Sequence, residues 1–363
     1  MKLAILGTRG IPARYGGFET FAEEIAKRLV ECGVSVTVFC QATSNAQPKE
    51  YCDVYLEYVP ALRLGPLTTI AYDLRCLWRA RKGYDVVYML GYGASLFCFI
   101  PRIFGAKVWI NMDGIEWKRS KWSTTARVWL KTMEAVAMWT PNRIIADAAA
   151  IERNLAARYR RKPDCAVIPY GATVIDSAPS VDMLAEWNLT RDGYYLVVCR
   201  LEPENHVLEI VRGYIASDSS RPLVIVGDHN NNSSYVATLL AAGSARVLFV
   251  GTVYDREKLA SLRYYCRAYI HGHSVGGTNP SMLEALASGN TIFAHDNPYN
   301  REVAGESARY FFDEGDVSAL ITEAENSELT NESTRNRARE IITTRYTWEQ
   351  VTREYLKLLS DPR

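Results

Sequence analysis

Three places in this 363-residue chain carry residues whose types and spacing suit a phosphorylated, hydroxyl-rich ligand. The first is the stretch 273–289, His-Ser-Val-Gly-Gly-Thr-Asn-Pro-Ser-Met-Leu-Glu-Ala-Leu-Ala-Ser-Gly. Gly276 and Gly277, followed by Thr278, Asn279 and Pro280, make a turn into a helix start, where free backbone N–H groups point off a positive helix end and suit a phosphate. Glu284 lies one turn further in. A carboxylate there can accept hydrogen bonds from both vicinal hydroxyls of a ribose; the plainer alternative is a solvated helical glutamate. The second place is Arg200, at the tip of an apolar run, whose permanently charged guanidinium can fork onto phosphate oxygens. The third is the loop 111–122, Asn-Met-Asp-Gly-Ile-Glu-Trp-Lys-Arg-Ser-Lys-Trp. Asp113 and Glu116 are candidate partners for the hydroxyls of a second substrate, and Trp117 or Trp122 can stack on a sugar face. An N-capping Asp with packing tryptophans accounts for the same residues equally well.

The elements that must position these residues alternate strand and helix throughout. Residues 2–6 read as a strand leading into Gly-Thr-Arg-Gly-Ile-Pro-Ala-Arg-Tyr-Gly-Gly-Phe-Glu-Thr (7–20). A helix then places Phe18, Phe21, Ala22, Ile25 and Leu29 on one face and stops at Gly33, before a strand over 34–40. A dinucleotide fingerprint is only weakly matched there, because the G-x-G-x-x-G spacing is absent and the loop is too long. Helices are expected over 68–81, 94–104, 124–139 and 148–159, and strands over 85–90, 106–111, 143–146 and 165–168. After an irregular linker, strands over 194–199, 223–227, 247–251, 268–271, 291–295 and 309–312 alternate with helices. Asp316 is expected to cap the helix after the last of these, and the polar stretch 323–332 precedes two final helices. The last, 348–359, is amphipathic.

Composition sets the outer limits. The length suits two domains, and 48% hydrophobic with 23% charged residues is that of a globular protein. Eight scattered cysteines, with no C-x-x-C pair, read as core residues of a reducing cytoplasm. The apolar region 86–110 is broken by Gly91, Gly93, Pro101, Arg102 and Lys107, which excludes a membrane span, and no signal peptide is expected. A net charge of +1 conceals an asymmetry: 24 Lys and Arg against 15 Asp and Glu in residues 1–175, but 18 against 26 in 176–363. The basic half can face an anionic membrane or simply the acidic half, and both readings stay open. Nucleic acid is not expected, since no binding motif accompanies the charge.

Taken together, the 7–20 loop, Asp-Gly-Ile-Glu-Trp-Lys-Arg (113–119), Arg-Leu-Glu-Pro-Glu-Asn (200–205) and Gly-Gly-Thr-Asn-Pro-Ser (276–281) resemble the retaining GT-B glycosyltransferases of the family-four type. They are similar in particular to a subgroup that includes bacterial rhamnosyltransferases of surface-polysaccharide assembly. The resemblance spans nearly the whole chain. It implies an α/β GT-B fold of two Rossmann-like doubly wound domains facing a cleft. Residues 1–175 would bind the acceptor, 176–346 the nucleotide sugar, and 347–363 would cross back as a helix onto the first domain. It also implies donor contacts from Gly16, Gly17, Arg200, Asn205, Val253, Tyr254, Gly277, Thr278, Asn279 and Glu284. Acceptor contacts would come from Asp113, Glu116, Trp117, Lys118 and Arg119, with Asp113 and Arg200 catalytic. Two positions depart from the wider family: Gly276 stands where a glutamate contacts the donor sugar, and Asn205 where a lysine contacts the diphosphate. His206 has no assigned part.

The implied reaction moves L-rhamnose from dTDP-L-rhamnose to a saccharide on a lipid diphosphate, at the inner face of the cytoplasmic membrane. No cofactor beyond this nucleotide-sugar donor is expected. No D-x-D motif follows a strand, so a metal-clamped diphosphate is not expected either. A donor carrying UDP or GDP, a sugar-nucleotide epimerase of the same fold, and a non-catalytic sugar-nucleotide binder are the rival readings.

Overall fold

The computed structural model describes all residues except 14–15, 44–46, 63, 120, 161–162, 231–232, 328–331 and 362–363. Arg14 and Tyr15 of the first glycine-rich loop, Ser120 of the 111–122 loop and part of the 323–332 stretch therefore lie outside the described residues. Packing divides the chain into two compact units, one of Met1–Lys118, Trp122–Tyr170 and Trp348–Arg363, the other of Arg119–Lys121 and Gly171–Thr347. The first break thus falls before Gly171 and not after residue 175. The physical reason is backbone pairing: Ala172 N donates to Tyr346 O (2.8 Å) and Ile175 N to Ala287 O (3.1 Å), both inside the second unit.

The first unit is built on strands β1 (Lys2–Leu6), β2 (Ser35–Gln41), β3 (Glu50–Tyr51), β4 (Val54–Val59), β5 (Val86–Leu90), β6 (Lys107–Met112), β7 (Arg143–Ala146) and β8 (Asp164–Val167). Their order in the sheet is β3-β4-β2-β1-β5-β6-β7-β8, parallel except for the short β3. Continuous apolar runs such as Val-Val-Tyr-Met-Leu in β5 are buried throughout, as strands covered on both faces require. The β3–β4 hairpin was not anticipated, although Val54 and Leu56 alternate with more exposed residues. The expected helix 94–104 is instead a 3₁₀ turn, Ser95–Cys98, followed by a helix Phe99–Ile103. Pro101 is the cause: without an N–H it is tolerated in the first turn of a helix but not in the middle of a longer one.

Helix Gly17–Glu31 buries Phe21, Ala22, Ile25 and Leu29. The terminal helix Trp348–Ser360 packs in this same unit, and Tyr355 and Tyr88 share a hydroxyl hydrogen bond of 2.9 Å. Around that bond Phe21, Tyr170 and Trp348 complete an aromatic cluster. Each such buried ring contributes about 2 kcal/mol.

The second unit has strands β9 (Tyr195–Val198), β10 (Leu223–Val226), β11 (Val247–Gly251), β12 (Ala268–His271), β13 (Ile292–His295) and β14 (Ala308–Phe311). All are parallel, in the order β11-β10-β9-β12-β13-β14. The cap of the helix Glu314–Glu325 is Asp313 and not Asp316: Asp313 Oδ1 accepts from Asp316 N at 3.0 Å, while Asp316 reaches back to Phe312 N at 2.8 Å. The two carboxylates form a reciprocal cap, so Asp316 takes part without being the first residue. All eight cysteines are free, and among the described residues no helix is long and apolar enough to cross a membrane.

Candidate functional site

In the second sheet the order in which strands are added reverses between β9 and β12, the place where open α/β sheets leave a crevice at their carboxyl ends. The two stretches singled out in the sequence emerge side by side there, residues 199–206 after β9 and 272–279 after β12. Gly272 lets them touch: a Cβ on it would stand 2.0 Å from Asn205 O, so only glycine fits.

Asn205, found where a lysine was the family expectation, does not face solvent. It is 5% exposed; its Nδ2 donates to Arg200 O at 2.6 Å and its Oδ1 lies 2.7 Å from His273 Nδ1. A carbonyl can only accept, so the amide orientation is fixed, and His273 must carry its proton on Nδ1 and a bare lone pair on Nε2. Burial, the neighbouring His271 and the charges of Arg119 and Arg200 hold the His273 pKa well below its ordinary value, so the ring stays neutral. Its backbone is fixed as well. Asn297 and Asn300 each donate to His273 O, at 3.1 and 2.9 Å.

His206, left without a part by the sequence, is a strut between loops. Its Nε2 lies 3.0 Å from Ser274 Oγ, and its ring stacks on His295 at 4.2 Å. His271 and His295 are pushed down to about 3 and about 4, in both cases mainly by burial. A usable signal for this network was present in the sequence. Four of the five histidines of the chain (His229, His271, His273, His295) stand at or within three residues of strand ends in this one sheet, and His206 opens the helix after β9.

The glycine turn then opens the helix Pro280–Ala287. Gly276 has φ +137°, a conformation other residues rarely adopt, and Asn279 caps the helix by accepting from Ser281 N at 3.0 Å. Ser281 Oγ donates to Val198 O at 2.8 Å, which bolts the helix start to the tip of β9. Arg200 is 45% exposed in its side chain, with Nη2 3.7 Å from Glu202 Oε2. Burial opposes ionisation of Glu202, but the charges of Arg200, Lys121 and Arg119 outweigh it and lower its pKa. Arg119 packs with this second unit, 3.8 Å from Glu202 and 4.0 Å from Glu204. Glu284 has one oxygen on Arg263 (Oε2 to Nη2, 2.6 Å), so Oε1 is the oxygen left to meet a hydroxyl. Val253 and the 70%-exposed Tyr254 follow β11, two strands from β9 or about 10 Å along the sheet.

In the first unit the expected residues have internal partners. Glu116 accepts from Trp122 Nε1 at 3.1 Å, and its N–H donates to Tyr92 Oη at 2.7 Å. Trp117 Nε1 donates to the fully buried Glu134, which also accepts from Arg158 and from Tyr159 Oη (2.8 Å). Lys118, Lys131 and Arg158 stand 5.9, 5.3 and 5.8 Å from the Trp117 ring. Both tryptophans therefore pack as struts in this structure. Asp113, half-buried just after β6, stands at a carboxyl strand end. Gly16 is the extended N-cap of Gly17–Glu31. Its loop is pinned by carboxylates, with Glu19 accepting from Arg9 N (2.9 Å) and Glu23 from Ala13 N (2.6 Å).

Comparison with known proteins adds the following. Residues 185–345 match the family described as "Glycosyl transferases group 1", and residues 1–173 match a domain of unknown function, DUF1972. No curated protein matches the chain. Among solved structures it is similar to a sucrose-phosphate synthase from Thermosynechococcus elongatus, with a TM-score of 0.80, 17% identity, and 99% of this chain and 98% of that one covered. It is similar to Anabaena HepE, solved with UDP and glucose, with a TM-score of 0.79, 16% identity and 99% of each chain covered. An α,α-trehalose-phosphate synthase (UDP-forming) from Burkholderia xenovorans gives a TM-score of 0.75 at 11% identity, covering 99% and 100%. The chain therefore has the GT-B fold, and residues 185–345 of it match the group 1 glycosyltransferase model.

Proposed function

We propose that the protein is a retaining glycosyltransferase that moves a 6-deoxy sugar, L-rhamnose from dTDP-L-rhamnose, onto a saccharide carried on a lipid diphosphate. The name of the sugar rests on the sequence resemblance. The single observation that carries the altered sugar pocket is the Asn205–His273 pair beside Gly276. The wider family presents a carboxylate to the donor sugar at position 276. Here a neutral imidazole with its lone pair on Nε2 takes over as a single, uncharged acceptor. A site that asks for fewer hydroxyl bonds suits a sugar with fewer hydroxyls.

In the reaction, the bond from the sugar's anomeric carbon to the diphosphate oxygen breaks, and the acceptor oxygen bonds to that carbon from the same face. The acceptor proton passes to the departing diphosphate. Charge growing on that diphosphate is met by Arg200 and the N–H groups of Gly277, Thr278 and Asn279. Glu284 Oε1 takes a ribose hydroxyl, Val253 and Tyr254 flank the base, and Asp113 orients the acceptor hydroxyl. Because Arg200 and backbone amides supply the positive charge, transfer is expected to proceed in EDTA; activity lost on chelation and restored by magnesium contradicts this. HepE was solved with UDP-glucose, which makes that donor the natural competitor. The donor test supplies dTDP-L-rhamnose, UDP-glucose, UDP-N-acetylglucosamine and GDP-mannose together and identifies the transferred sugar by mass. Deoxyhexose transfer supports the reading, and preferred transfer of a hexose removes the donor assignment.

A further inference from the structure

In the first unit, three chain segments run into the adjacent strands β5, β6 and β7 at the amino-terminal edge of the sheet. On them, Trp78, Phe99, Ile103, Phe104 and Trp139 are 54, 45, 71, 45 and 61% exposed. Scattered exposed apolar side chains are ordinary, but five on one continuous face are not. Several contacts tie the face together. The Arg81 guanidinium lies 4.4 Å from the Trp78 ring and 5.9 Å from that of Phe104, and Lys82 Nζ lies 5.2 Å from Phe104. Arg102 Nη1 donates to Thr140 O at 2.5 Å, and an open groove of about 380 Å³ runs between Phe99, Arg102, Ile103, Trp139 and Thr140. Residues 75–104 hold five Lys and Arg (Arg75, Arg79, Arg81, Lys82, Arg102) against one acid, Asp85, with Arg79 paired to Glu57 at 2.7 Å and the other four left in excess. Asp85 is occupied at 2.7 Å by the N–H of Lys2.

We propose that this aromatic and basic face docks the protein onto an anionic lipid bilayer. The charge decides between occupants. A second copy packing face to face would set cations against cations, whereas anionic headgroups neutralise them. Tryptophan and phenylalanine settle at headgroup depth, and arginine and lysine extend their charges past apolar surface to the phosphates. Each basic residue near such a surface adds about 1 kcal/mol, or about fivefold in partitioning. The inference is independent of the proposed sugar transfer, since binding to vesicles needs neither donor nor acceptor.

The test sediments the full-length protein with phosphatidylcholine vesicles, with and without phosphatidylglycerol. Binding is expected to require phosphatidylglycerol and to weaken as salt is raised. Arg81→Gln with Lys82→Gln should lower partitioning about twentyfold, and Ile103→Ser with Trp139→Ser at least about tenfold. All four side chains lie at the surface, so both double variants should melt with the wild type. Lys357→Glu, at a 70%-exposed side chain on the terminal helix, should leave binding unchanged. Three results would overturn the proposal: binding indifferent to phosphatidylglycerol, equal loss in the Lys357 control, or a dimer in solution that the Ile103 and Trp139 changes dissociate while vesicles bind nothing.

Discussion

The chain has two glycine pairs at helix starts, and they do different work. Gly16 and Gly17 open a helix whose first turns carry buried Glu19 and Glu23, and these carboxylates already hold the N–H groups of Arg9 and Ala13. A Cβ on Gly16 would meet Glu19 Oε2 at 3.3 Å. Anionic charge therefore already occupies this positive helix end, and an incoming diphosphate would have to approach it. Gly276 and Gly277 open a helix with no acid in its first turn, capped by neutral Asn279, in the unit that holds Arg200. The same dipeptide is a pinned loop in one unit and, in the proposed mechanism, the anion seat in the other. The neighbouring carboxylates make the difference, and the glycines do not.

This contrast can be broken by substitution. Arg200→Ala should lower transfer about a hundredfold or more, the usual cost of removing one group that stabilises transition-state charge. A variant with near-normal turnover would show that the open seat is not used. Asn205→Leu should lower kcat/KM for the sugar nucleotide about tenfold and weaken the free nucleoside diphosphate less, because it releases the His273 tautomer as well as the Arg200 carbonyl. Equal weakening of both ligands would point to a collapsed loop instead. On the pinned side, Glu19→Gln should alter the rate by less than about threefold but cost about 1 kcal/mol of stability, measured by denaturant unfolding. A large rate effect with no loss of stability would reverse the comparison.

The two units should also respond oppositely to acid. The neutral histidines of the second unit, His271 at about 3 and His295 at about 4, take up protons near pH 6.5 only once unfolded. Their contribution is complete above about pH 6.5 and is lost as the pH falls toward 4. The first unit has no histidine, and burial pushes its Asp73 carboxyl up to about 8. Folded Asp73 keeps a proton that the unfolded chain releases near about pH 4, so its contribution is complete below that and is lost as the pH rises through 8. Moving from pH 7 to 5 should therefore lower the melting temperature of the second unit by on the order of 5 °C and not that of the first. Hydrogen exchange resolved by unit reads both, and parallel destabilisation would refute the burial of these histidines as neutral groups.

Much of this was legible along the chain because it is local. The spans Ser234–Ala242, Val247–Gly251, Arg256–Tyr265 and Ala268–His271 follow from apolar periodicity and flanking turn residues. The β3–β4 hairpin was missed because two residues and six residues offer too little alternation to stand out. What the sequence could not yield is the pairing across the fold. His206 with Ser274 and Asn205 with His273 are each joined across 68 residues. Likewise the loop tryptophans 117 and 122 looked equally suited to a sugar or to packing until Glu134 and Glu116 appeared as their partners.

The central claim is coupled transfer from a nucleotide sugar, and stoichiometry tests it most directly. The protein is incubated with dTDP-L-rhamnose and a saccharide on a lipid diphosphate, and released nucleoside diphosphate is counted against extended acceptor, whose new linkage is read by NMR. The account predicts one diphosphate per extended acceptor with the donor's anomeric configuration kept, and no release when acceptor is withheld. Diphosphate released without acceptor, or bound nucleotide sugar that is never turned over, would contradict it.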